Sequence, residues 1–174
     1  MIQRLRVKFI TASMLSLALV LLVILGGVNA MSYQKVVRDA DRILALLSEN
    51  RGVFPQQTPP DDRGGKPGPI PVLGHGISPE TPFESRFFSV LLNEKGQVLQ
   101  SDTGQIAAVD DQSAGEMAQA VWSSGSASGF QGDYRYIRAA EAEGTRFIFV
   151  DCGRSLSNFR TTLIASVLVA LAIK

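Results

Sequence analysis

The stretch RFFSVLLNEKGQVLQ, residues 86–100, holds two strand-forming runs around a short polar turn. Phe87, Phe88, Val90, Leu91 and Leu92 suit a pleated, half-buried surface. Asn93, Glu94, Lys95 and Gly96 then supply turn chemistry, with glycine where a positive φ is needed. Residues 97–100 return as the second strand. An antiparallel hairpin is predicted.

The downstream chain extends this pattern. Ser113 and Glu116 have the spacing of a capping box, in which hydroxyl and carboxylate each satisfy the other's backbone amide. Ala114, Met117, Ala118, Val121 and Trp122 follow at helical spacing, predicting a helix from 113 to about 122. The Ser/Gly-rich run 123–129 reads as a turn. Residues 134–139 and 145–151 are two further strands, joined as a hairpin by 140–144.

Upstream, Tyr33, Val36, Val37, Ala40, Ile43, Leu44 and Leu47 recur at helical spacing, predicting a helix over 32–50. Gly52 stands as its C-cap glycine and Pro55 as its stop. The stripe suits core packing or a dimer seam, and two heptads are too few to separate them. Between this helix and the hairpin, 13 of the 30 residues 51–80 are Gly or Pro. That composition predicts a long loop, partly polyproline-like. The element order is helix, loop, hairpin, helix, hairpin, helix. It predicts an α+β domain, an antiparallel sheet with helices on one face.

The ends of the chain differ from this middle. Residues 9–34 carry no charged side chain. About 20 apolar residues cross a bilayer, and helix is the state that satisfies the backbone there. Arg4, Arg6 and Lys8 precede the run, which places the N-terminus in the cytoplasm by the positive-inside tendency. Val28-Asn29-Ala30 would also suit a cleaved leader, but the run exceeds the usual ~7–15-residue apolar region of one. A second uncharged run, 161–173, reaches about 20 Å as helix and reads as the start of a second span, cut short. The organisation is then a cytoplasmic N-terminus (1–8), a first span (9–31), an extracytoplasmic domain (32–160) and a truncated second span (161–174).

The chain of 174 residues has a net charge of +1, but residues 32–160 hold 13 basic against 16 acidic residues. A net negative domain of this kind excludes the basic face that nucleic acid requires. Cys152 is the only cysteine, so no internal disulfide is available. A buried, inert thiol is expected of it. The single histidine, His75, lies in a Gly/Pro loop without partner ligands and reads as a surface side chain. No metal and no cofactor are expected.

Several local runs carry a resemblance. They are Arg86-Phe87-Phe88-Ser89-Val90, Asn93-Glu94-Lys95-Gly96-Gln97-Val98, Ile106-Ala107-Ala108-Val109, Gly129-Phe130, Tyr134-Arg135-Tyr136 and Phe147-Ile148-Phe149-Val150-Asp151-Cys152. Together with the two apolar ends, they resemble the N-terminal region of bacterial sensor histidine kinases with a PAS-like (Cache-type) extracytoplasmic domain. The Pro/Gly loop has no counterpart in the resemblance. It implies a sensing and transmembrane-signalling module in the cell membrane, acting as a homodimer. The stimulus would be a small molecule or a protein, and a response regulator would be served by a kinase part that this chain lacks. No phosphoacceptor histidine motif and no ATP-binding box is present, so no catalytic residue is expected. The same layout serves chemoreceptors and membrane-bound cyclic-dinucleotide enzymes, and a secreted, anchored protein with a cleaved leader is a third reading.

Strand alternation puts Tyr134, Tyr136 and Arg138 on one face and Arg135 on the other. The resemblance implies a ligand pocket near this strand, walled by the tyrosines, with Arg135 or Arg138 as anchor. Arg86, Asp102 and Asp151 join them on the same logic. Cross-strand packing with solvated arginine heads is the structural alternative.

Overall fold

The structure is a computed structural model that describes residues 2–55, 78 and 80–172. Its elements are α1 (Ile2–Glu49), α2 (Thr81–Glu84), β1 (Phe87–Leu92), β2 (Val98–Asp102), α3 (Asp111–Ser124), β3 (Ser128–Gln131), β4 (Tyr134–Glu141), β5 (Gly144–Asp151) and α4 (Gly153–Ala172). The fold is α+β. A long, apolar N-terminal helix precedes a five-stranded antiparallel sheet of order β2-β1-β5-β4-β3. The chain divides into two units, Met1–Val37 with Arg154–Lys174, and Arg38–Gly153.

In the second unit, strand alternation sorts apolar side chains onto two faces. Phe88, Val90, Leu92, Tyr136, Phe147 and Phe149 form one cluster with Ala114, Ala118 and Val121 of α3 and with Ile106 and Val109. Phe87, Ile148 and Val150 form the other, with Leu44 and Leu47 of α1. The predicted helices on one face are thus corrected: α3 and α1 cover opposite faces. β1 is buried along its whole length, and β5 from Arg146 to Val150, as expected of strands apolar on both sides.

The predicted hairpin at 86–100 forms as β1 and β2, with a register shift between Leu91 and Leu92. Asn93 holds its turn, since the amides of Lys95 and Gln97 both donate to Asn93 Oδ1 at 2.9 Å. Three local predictions need correction. Helix α3 starts at Asp111, because Asp110 is the N-cap and accepts from Ser113 N at 2.8 Å. Ser113 therefore lies inside the first turn and forms no capping box. The helix runs two residues past Trp122 and ends at Gly125, which is left-handed with φ 70°.

The run read as a turn contains part of a fifth strand, β3. It pairs with β4, and Gly129 lies opposite Tyr136. A Cβ at Gly129 would meet the Tyr136 hydroxyl at 2.8 Å, so the absent side chain is what lets the ring lie there. At the end of α1, Gly52 N donates to Leu47 O at 2.8 Å, closing a Schellman-type turn. The predicted Gly52 takes a positive φ of 83°, and Arg51 before it does so too, at φ 55°. The predicted Pro/Gly loop over 51–80 lies almost wholly outside the described residues, as does His75.

In the first unit, α1 from Lys8 onward is long and apolar enough to cross a membrane, and its most apolar window holds no buried residue. Among the described residues it is the one helix that meets this test. Three polar side chains in this unit bond to carbonyls of their own helix. Asn29 Nδ2 donates to Leu25 O at 2.8 Å, and the hydroxyls of Thr161 and Thr162 donate to Ser157 O and Asn158 O. Such back-bonding hides polar atoms from an apolar surrounding. Tyr33 of α1 and Phe159 of α4 stand with ring centroids 5.8 Å apart.

Candidate functional site

The sequence-predicted residues separate into groups. Three of them, Tyr134, Arg86 and Asp151, meet where β5 ends. Asp151 N donates to Arg86 O at 2.8 Å, which sets the start of β1 beside the end of β5. The Arg86 guanidinium then pairs with Asp151 Oδ2 at 3.3 Å. The other carboxylate oxygen accepts from Gly153 N at 2.7 Å, at the first turn of α4. A carboxylate at a helix N-terminus satisfies an amide that has no partner within the helix.

Tyr134 stands edge-on to Phe88, with centroids 5.5 Å apart. Burial pushes its phenol pKa up, the charges of Asp151 and Asp133 add to this, and Arg86 opposes it. Cys152 N donates to Asp133 O at 2.9 Å, tying the β3–β4 turn to the same junction. The Cys152 thiol is buried, and that burial raises its pKa. A thiol held neutral in this way is a poor nucleophile.

The remaining candidates lie elsewhere. Tyr136 is buried in the cluster under α3. Arg138 is exposed, with its guanidinium 6.0 Å from the Phe147 ring centroid. Asp102 ends β2, and its Oδ1 accepts from Gly104 N at 3.1 Å. Arg135 is on the opposite face, as its alternation requires. It pairs with Asp41 of α1 through Nε–Oδ1 at 2.8 Å and Nη2–Oδ2 at 3.3 Å. Its guanidinium carbon lies 5.0 Å from the Phe130 ring centroid. Tyr134 and Arg135 are therefore not two walls of one pocket.

One polar cluster was missed. Arg146 forms a two-pronged pair with Glu141, Nε–Oε1 at 2.6 Å and Nη2–Oε2 at 3.2 Å, and its Nη1 donates to Ser89 Oγ at 3.3 Å. The signal for it was present. Arg146 alternates with Ile148 and Val150 onto an apolar face, so it needs an acid, and Glu141 is the nearest one across the hairpin. Among the described residues no group of three His, Cys, Asp or Glu is placed to hold a metal ion.

Charge pairs here join strand to strand, as Arg86–Asp151 and Arg146–Glu141, and helix to strand, as Arg135–Asp41. Comparison with protein-family models, curated proteins and solved structures finds no match to this chain.

Proposed function

We propose that this chain is the extracytoplasmic sensing and transmembrane-signalling module of a two-component sensor histidine kinase, with a PAS-like sheet domain set between two membrane helices. The observation that carries the reading is continuity between helices and sheet core. α1 contains the whole apolar stretch and ends with Leu44 and Leu47 packed on the sheet. β5, the central strand, passes through a single residue, Cys152, into α4. Any rearrangement of the sheet is thus handed directly to both helices, and packed elements with two discrete arrangements transmit it as a small shift. The domain works as a symmetric pair in the cell membrane, with the N-terminus in the cytoplasm. Its stimulus is a small molecule or a partner protein, and the appended kinase serves a response regulator.

The test is a fusion that places a histidine-kinase output region behind Lys174, reconstituted in vesicles. Leu44→Asp, which disrupts the docking of α1 on the sheet, should change autophosphorylation severalfold. An output rate indifferent to that substitution, with the sheet domain's docking demonstrably lost, overturns the reading.

A further inference from the structure

Helix α1 is fastened to the sheet at two places, and the fastenings differ in kind. At its C-terminal end, Leu47 is fully buried and Gly52 lies against the sheet. A Cβ built at Gly52 would fall 2.8 Å from Ser89 Oγ and 3.3 Å from Arg146 Cδ. The Arg146–Glu141 pair beneath it is sequestered, with side chains 8% and 20% exposed. Nearly two turns earlier, the fastening is the Arg135–Asp41 pair, in which Arg135 is 17% exposed and the Asp41 carboxylate 46%, so water reaches it from the acid side. Apolar grip is graded the same way: the buried residues are Ala40, then Leu44, then Leu47, so the smallest contact lies beside Asp41. Burial stabilises in proportion to apolar area, and a hydrated pair is weak and screened by salt while a sequestered one is not.

We propose that Arg135–Asp41 is a latch and that α1 pivots about the anchor formed by Leu47, Gly52 and the Arg146 network. When the latch opens, the part of α1 around Arg38–Asp41 leaves β4 while the anchored end stays in place. The use of this motion in signalling rests on the reading given above. The motion itself does not, and its test involves no signalling readout.

Spin labels on the whole chain in lipid nanodiscs measure it, in a Cys152→Ala background. One pair, Asp39→Cys with Ser126→Cys, reports the latched end, and a second, Glu49→Cys with Ser126→Cys, reports the anchored end. Arg135→Gln should shift the first distance by more than about 2 Å, the scale of helix shifts in switching proteins, and leave the second unchanged. The exchanged pair Asp41→Arg with Arg135→Asp should restore the first distance. Shifts at both ends would mean that α1 undocks as a whole, and no shift would mean that the pair holds nothing; either result overturns the latch. Should Arg135→Gln fail to fold, Asp41→Asn applies the same test from the exposed side.

Discussion

Single residues set the backbone at three points of this fold. At Gly144, φ is 154° and an added Cβ would run into the Leu92 carbonyl. Gly144→Ala should therefore destabilise the sheet domain by about 3 kcal/mol or more, read as a fall in the urea midpoint. Arg51 presents the opposite case, a non-glycine residue in the left-handed position that closes a helix. Arg51→Gly removes that steric penalty at some entropic cost, and a net gain of roughly 0.5–1 kcal/mol in thermal unfolding is expected. Asp110 caps α3, and its hydrogen bonds with Ser113 hold its pKa below the ordinary carboxylate value. A lowered folded-state pKa means that the cap stabilises above the ordinary carboxylate range. That stability is lost as pH falls through the lowered value. Asp110→Asn keeps a capping acceptor without the charge, so the α3 contribution to melting should become flat across that acid range.

Two of the arginine–carboxylate pairs that hold this domain together contrast in environment. Arg146→Ala leaves the Glu141 carboxylate with little water and no partner, and should cost about 3–5 kcal/mol in denaturant unfolding. Arg135→Ala leaves the half-exposed Asp41 free to hydrate and should cost about 1 kcal/mol or less. Comparison of the two separates a sequestered pair from one whose carboxylate is half exposed. At this scale the reach of sequence reading also becomes clear. The 86–100 hairpin was legible because its turn chemistry is local, as Asn93 and Gly96 show. The start of α3 was misread because Asp110 and Ser113 compete as caps, and geometry chose the aspartate. β3 escaped notice because Ser128 and Gly129 have the composition of a turn and become a strand only through pairing with β4. Which face of β4 each candidate takes was legible by alternation, which separated Arg135 from Tyr134, Tyr136 and Arg138. Its partners were not, because Asp41 lies far from Arg135 in sequence and meets it only through the docking of α1.

For the whole molecule, the proposed function turns on the side of the membrane on which the sheet domain would lie. Ser126 is exposed, whereas the native thiol is buried. Ser126→Cys in intact cells should react with a membrane-impermeant maleimide, while the unsubstituted chain should not. Labelling only after lysis would put the domain in the cytoplasm and remove the basis for an external sensor. The place of β5 in the sheet has a mechanical consequence as well. It is zipped to β1 on one side and to β4 on the other, and α4 departs from its end. Tension drawn along α4 would load both ladders in shear at once, so that the strand joined to the leash is the one hardest to pull out.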